Sequence, residues 1–267
     1  MRYLICAFFC INGFAASAQK NIKALIHAER SFAAYTTANG IKKGFLQFLE
    51  SSAVVFPGAD AVNGIALHSK SPGSNAVLSW APEYAVISTS GDFGFTTGPY
   101  HLRSSKNDTI SSRGQYSSIW QMNKTGEWKV LADMGITYTY SRSLPDHVAE
   151  LDLKKINTLP FTNEELTKAD QLLNQQLQEK GNAAYGSYLT AQSWFNIQNH
   201  IPVMGARDIG DLLKTLSPPS AIQHEKAGIA ASNDLGFTYG KLNNSPYLRV
   251  WTKQQTGWGL LLVVSKQ

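Results

Sequence analysis

Ser90-Gly91-Asp92-Phe93-Gly94-Phe95-Thr96-Thr97-Gly98 returns 142 positions later as Ser232-Asn233-Asp234-Leu235-Gly236-Phe237-Thr238-Tyr239-Gly240. Working outward, Ala28, Gly40 and Gly64 match Ala169, Gly181 and Gly205 at an offset of 141. Downstream, Tyr116, Trp120, Thr125 and Gly126 match Tyr247, Trp251, Thr256 and Gly257 at an offset of 131. Order, spacing and residue type agree, so the chain is read as two copies of one unit. The fall in offset places a deletion in the second copy, in the loop around Ser104 to Ser112.

Each copy carries the same coarse pattern. Ile22, Leu25, Ile26, Glu29, Phe32, Ala33 and Thr36 recur at helical spacing, and Gly40 stops that helix. Phe45, Leu46, Phe48 and Leu49 predict a second short helix, Val54-Val55-Phe56 a strand, and Gly64 to Lys70 a third helix. Four β-rich segments follow, near 76–90, 92–104, 113–122 and 127–137. The second copy repeats this, with helices near 163–180 and 182–192 and strands to Val264. Gly91-Asp92 and Asn233-Asp234 sit where two-residue hairpin turns belong, which makes both aspartates turn residues. Thr139 to Pro160 is polar and carries two prolines, a connector with one helical turn around Asp146 to Ile156.

The chain opens with Met1-Arg2, an apolar run from Tyr3 to Phe14, and Ala16-Ser17-Ala18. One positive charge, a short apolar core and an Ala-x-Ala site read as a secretory signal peptide, 1–18, and imply a secreted or periplasmic product. Both cysteines, Cys6 and Cys10, lie inside it, so the mature chain must be held by its core without disulfides. The run is too short to span a bilayer, which takes about 20 residues. No membrane association is expected once the leader is cleaved. With 43% hydrophobic, 11% aromatic and 16% charged residues, the 267-residue chain is not disordered. Its formal charge of +5 is spread without a basic run, which indicates no nucleic-acid partner. The expected domains are therefore 19–137 and 163–267, joined by a linker, 138–162.

Helix–helix–strand–helix followed by antiparallel strands resembles the nuclear-transport-factor-2-like superfamily, a cone-shaped α+β roll. The first copy is similar more narrowly to the domain-of-unknown-function 4440 (SnoaL-like) family. The residues that carry this are Ala28-Glu29-Arg30, Phe32, Gly40, Phe45-Leu46, Phe56-Pro57-Gly58 and Gly64. They continue with Leu78, Trp80, Pro82, Ser90-Gly91-Asp92, Gly94, Gly98, Gly114-Gln115-Tyr116, Trp120, Gly126, Trp128-Lys129, Asp133 and Gly135. The resemblance implies two tandem cones, each with N-terminal helices packed on a curved antiparallel sheet. It licenses no single activity, because the superfamily holds ketosteroid isomerases, polyketide cyclases and silent binding domains. Such domains often pair sheet to sheet, which implies an intramolecular pseudo-dimer and a monomeric chain.

In the isomerase branch, the resemblance places a general-base carboxylate just before the proline of the first strand. That position is Phe56 here and Ile197 in the second copy, and neither accepts a proton. Glu29 lies in the apolar stripe of the first helix, and Asp170 occupies the matching place in the second copy. A buried acid needs a specific partner, so Glu29 is either a pocket acid or a structural carboxylate bonded to a Trp, Tyr, Arg or backbone group. Asp133 falls at apolar Val263 in the second copy, and Trp80 falls at Ile222. The lining is thus retained in the first cone and lost in the second. A candidate pocket in the first cone is lined by Glu29, Trp80, Tyr116, Trp120 and Asp133. The alternative reading of the same aromatics is core filling.

Six histidines show no metal-ligand spacing, and the mature chain has no cysteine, so neither a metal nor a cofactor is expected. Gly236 to Lys241 is one residue short of a phosphate loop and lies in a strand-like run. Two functions remain. One is a non-enzymatic domain pair that binds a small apolar ligand or a protein partner through the first cone. The other is a SnoaL-like or ketosteroid-isomerase-like enzyme using Asp133 and Glu29, which requires both carboxylates to line an open cavity.

Overall fold

The computed structural model describes residues 20–267. The leader at 1–18, with Cys6 and Cys10, lies outside the described residues. The first half begins with α1 (Ile22–Asn39), α2 (Ile41–Phe48), β1 (Leu49–Val55), β2 (Val62–Asn63) and α3 (Gly64–Lys70). It continues with β3 (Val77–Trp80), β4 (Tyr84–Ile87), β5 (Phe93–Arg103), β6 (Ile110–Met122) and β7 (Trp128–Thr137). After the short β8 (Ala149–Asp152), the second half runs through α4 (Asn163–Lys180), a 3-10 stretch (Gly181–Tyr188), β9 (Leu189–Ile197), β10 (Val203–Met204) and α5 (Ala206–Thr215). It ends with β11 (Ile222–Ile229), β12 (Leu235–Leu242), β13 (Ser245–Gln254) and β14 (Gly257–Ser265).

The two sheets share one plan. The first runs β2-β1-β7-β6-β5-β4-β8, with β3 also pairing β5, and the second runs β10-β9-β14-β13-β12-β11. Both are mostly antiparallel and share a parallel pair at the same place, β1 with β7 and β9 with β14. This is an α+β architecture of two cones, each with helices against the concave side of a curved sheet.

The helices pack as their sequence spacing dictates. Every residue of the α1 stripe, Ile22 to Thr36, is buried, and Asn21 caps the helix by accepting from the Ala24 N–H at 2.9 Å. The α4 helix starts with a full capping box between Thr162 and Glu165. The close approach of helix to sheet explains one repeated glycine. A Cβ on Gly94 would lie 2.7 Å from Leu25 Cδ2, and one on Gly236 would lie 2.6 Å from Leu166 Cδ2.

Several boundaries differ from the sequence reading. The segment expected at 76–90 is two strands, parted at Ala81-Pro82-Glu83, because proline offers no N–H to a ladder. The predicted hairpin turns at Asp92 and Asp234 are four-residue loops: Ser88 N–H donates to Phe93 O at 2.8 Å, and Ala230 N–H to Leu235 O at 2.8 Å. The left-handed residues in them are Gly91 and Asn233. The deletion in the second copy is a tight turn through Asn243-Asn244, both at positive φ. The expected helical turn at 146–156 is only a 3-10 turn at Leu153–Lys155. Ahead of it, β8 lies parallel to β4 and covers that edge of the first sheet.

The outer faces of the two sheets pack on one another. A shared core joins Phe56, Tyr84, Phe93, Phe95, Met134 and Ile136 of the first half to Trp194, Phe237, Tyr239, Leu248 and Val250 of the second. Tyr84 stacks on Trp194 with centroids 5.4 Å apart. Asn196 Nδ2 crosses the seam to donate to Thr97 Oγ1 and Ser117 Oγ, both at 3.0 Å. Each concave face has its own core with its helices.

Candidate functional site

Strand alternation decides what faces the first cone. On β5, Gly94, Thr96, Gly98, Tyr100 and Leu102 share one side, and on β6 Tyr116, Ser118 and Trp120 do. Helix α1 lies over this surface and lowers Glu29 onto it. Glu29 is fully buried and bonded to three donors. Trp80 Nε1 donates to Oε1 at 2.5 Å, Trp120 Nε1 donates to Oε2 at 2.9 Å, and the Thr96 hydroxyl also donates to Oε2. Burial pushes the Glu29 carboxyl up to about 7, against the pull of these bonds.

Beside this cluster lies a cavity of about 280 Å³. Trp80, Tyr116 and Asp133 line it, together with Phe32, Ile41, Phe45, Leu78, Tyr100, Leu102 and Gly135. The five-residue wall expected from the sequence is therefore divided. Glu29 and Trp120 are not on the cavity surface, because their polar atoms are turned to one another. Tyr100 and Leu102 were missing from that expectation, although their alternation with Thr96 and Gly98 was the signal that places them there.

Two groups give the cavity its polarity. The Tyr116 hydroxyl is buried and, among the described residues, has no well-aligned hydrogen-bond partner. Thr96 is its polar neighbour and, with its own hydroxyl hydrogen committed to Glu29, can only accept from it. Asp133 is half-buried and accepts from Ser118 Oγ at 2.8 Å. Burial raises its carboxyl to about 6, against the Ser118 bond and the charge of Lys266. Lys266 comes from the second half and donates to the Phe56 carbonyl. Phe56 itself belongs to the core between the sheets, where it packs on Tyr239.

The second cone repeats the acid–threonine–tryptophan cluster. Thr238 Oγ1 donates to Asp170 Oδ1 at 2.9 Å, and Trp251 Nε1 donates to Thr238 Oγ1 at 2.9 Å. It adds a cation, Arg249, fully buried, whose Nη1 donates to Asp170 Oδ1 at 2.7 Å. Tyr247 OH donates to Asp170 Oδ2 at 2.6 Å, and His224 Nδ1 lies 2.8 Å from the same oxygen. Burial pushes Asp170 up, but the Arg249 charge and the bonds from His224, Tyr247 and Arg249 outweigh it and hold the carboxyl at about 2.

A cavity of about 260 Å³ lies in this half too, lined by Tyr185, Phe195, Ile197, Leu242, Ser265 and neighbours. The matched positions Ile222 and Val263 are apolar and are not on this wall, whose polar groups, Tyr185 and Ser265 among them, come from other positions. Its polar residues differ in type from those of the first, so comparing matched positions hid them. Among the described residues there is no cluster of three or more metal-ligating side chains.

No family model matches the chain, and no curated protein matches it significantly. Solved structures do resemble it. Nuclear transport factor 2 from Cryptosporidium parvum aligns at 16% identity, over 42% of this chain and 98% of its own, with a TM-score of 0.32. An NTF2-like protein from Cytophaga hutchinsonii aligns at 15% identity, over 40% and 98%, with a TM-score of 0.32. A putative ketosteroid isomerase from Parabacteroides distasonis aligns at 14% identity, over 45% and 98%, with a TM-score of 0.33. Each is aligned over nearly its whole length with less than half of this chain.

Proposed function

We propose that this is a secreted or periplasmic, non-enzymatic binding protein whose first cone holds a small apolar molecule carrying a hydroxyl group. The observation that carries the reading is Tyr116. A buried hydroxyl without a partner costs about 1–3 kcal/mol, and Tyr116, which lines an apolar cavity together with Asp133, carries such a hydroxyl just behind the wall. A ligand hydroxyl can accept from Tyr116 and donate to Asp133, while Phe32, Phe45 and Leu78 take the apolar body. The isomerase-like alternative that pairs Asp133 with Glu29 needs both carboxylates on the wall, and Glu29 is turned away from it into its indole and hydroxyl donors.

Two nuclear-transport-factor-2-like units, 19–137 and 163–267, joined through 138–162, form an intramolecular pseudo-dimer in this reading, and the first is DUF4440-like. The common strand order and the paired acid–threonine–tryptophan clusters support it. The leader motif at Met1 to Ala18 supports export.

Titration of the chain with 2-naphthol, followed by amide NMR, tests the ligand reading. The signals of Trp80 and Tyr116 are expected to shift, and Tyr116→Phe to weaken binding about tenfold, the ratio set by about 1.4 kcal/mol. Absence of any shift at Trp80 and Tyr116 at millimolar ligand overturns it.

A further inference from the structure

The two sheets carry different pairs at one register position. In the first sheet Ser118 stands opposite Asp133, and in the second Arg249 stands opposite Val263. The hydroxyl–carboxyl pair of the first cone is therefore a guanidinium–isopropyl pair in the second. The cavities themselves correspond, since Ser265 is the register partner of Tyr247 as Gly135 is of Tyr116. An acid on one wall has been exchanged for a buried cation near the other.

That cation is connected to its cavity through a tyrosine. Arg249 Nη1 is taken by Asp170 and by Asn174 Oδ1, each at 2.7 Å. Its Nη2 donates to the Tyr185 hydroxyl at 3.2 Å, and its Nε has no partner. Tyr185 is buried and lines the cavity, and among the described residues its hydroxyl has Arg249 as its one hydrogen-bond partner. Its own hydrogen is unclaimed. Ser265 lines the same cavity, and its hydroxyl accepts from the Gln267 N–H at 3.2 Å, leaving its hydrogen free also. The wall thus presents two hydroxyl donors, one of them polarised by a guanidinium. The single acid of the cluster, Asp170, is saturated by Arg249, Tyr247, Thr238 and His224.

We propose that the second cavity is a separate binding site for a small apolar carboxylate, its two oxygens held by Tyr185 and Ser265 and its charge facing Arg249. Phe195, Ile197 and Leu242 supply the apolar contact. Two free donors suit the two oxygens of a carboxylate, and a cation in low dielectric favours an anion over a neutral isostere. The first cavity, with Asp133 on its wall, disfavours the same ligand.

The test is calorimetric titration of the full chain with 2-naphthoate and with neutral 2-naphthamide, with amide NMR to locate the site. Naphthoate is expected to bind at least about tenfold more tightly than naphthamide, shifting Tyr185 and Ser265 and leaving Trp80 and Tyr116 in place. Tyr185→Phe is expected to weaken naphthoate binding about tenfold. Equal affinity for the two ligands, no naphthoate binding at millimolar concentration, or shifts confined to Trp80 and Tyr116 each overturn the proposal. The comparison of ligands on the unaltered chain decides it even where the variant fails to fold. Because the first cone is read out with 2-naphthol at other residues, either reading can fail alone.

Discussion

The Ser90 hydroxyl lies 2.9 Å from that of Ser232, its own counterpart 142 residues further on. Where equivalent residues touch, an approximate two-fold axis passes between them, as at the centre of an isologous interface. Ser90 also donates to Asp92 at 2.6 Å, and Ser232 to Asp234 at 2.5 Å, so each half repeats the same local turn.

The symmetry breaks one residue away, and that break is measurable. Asp234 accepts from both the backbone N–H and the hydroxyl of Thr89 across the seam. The mirror hydroxyl bond is absent because Ala231 stands where Thr89 does in the first half. Among the described residues the Asp92 carboxylate receives Ser90 and an exposed Lys20. Asp234→Ala is expected to cost about 1–3 kcal/mol of stability, and Asp92→Ala clearly less. Urea unfolding of the two variants measures the difference, and equal losses would show that the cross-seam bonds contribute nothing.

Acid and base should act in opposite directions on the two clusters. Glu29, raised from 4.5 to about 7, binds a proton more readily in the folded chain than in the unfolded one. Stability is therefore fully present below pH 4.5 and falls as pH rises through 7, by about 3 kcal/mol at most. Asp133, raised from 3.8 to about 6, adds in the same direction. Asp170, lowered from 3.8 to about 2, stabilises above pH 3.8, and that contribution disappears as pH falls towards 2. The urea midpoint is expected to drop from pH 5 to pH 8, and Glu29→Gln to flatten most of that slope. A slope unchanged in the variant would remove Glu29 as its source.

Arg249 offers a sharper contrast. Arg249→Met leaves Asp170 charged and buried without its counter-ion, a loss of about 3–5 kcal/mol. The double variant Asp170→Asn with Arg249→Met should lose much less than the two single changes added together. A double-mutant cycle by chemical unfolding measures this, and strict additivity would contradict the pairing.

Much of this was legible because the repeat marks positions where physics leaves few choices. Gly94 and Gly236 must be small under Leu25 and Leu166, and the α1 stripe buries the residues its spacing indicates. Glu29 was legible as an inward acid needing a partner, and its partners proved to be indoles and a hydroxyl. What escaped was whatever depended on tertiary placement. Ala149 to Asp152 has no strand pattern of its own, and it is extended because the β4 edge is there to receive it. Which side of the indole pair opens to a cavity depends on how closely α1 sits on the sheet, and no spacing in the chain encodes that. Arg249 was also passed over, although its place between Tyr247 and Trp251 turns it inward towards an acid.

The same strand position holds Ser118 in one half and Arg249 in the other. In a symmetric pair of identical subunits that asymmetry is impossible, because each substitution arrives twice and any charge placed in one cavity is placed in both. A single chain with the two halves in sequence is free of that constraint. One half can keep an acid on its cavity wall while the other acquires a buried cation behind its own, and selection can act on either without disturbing the other.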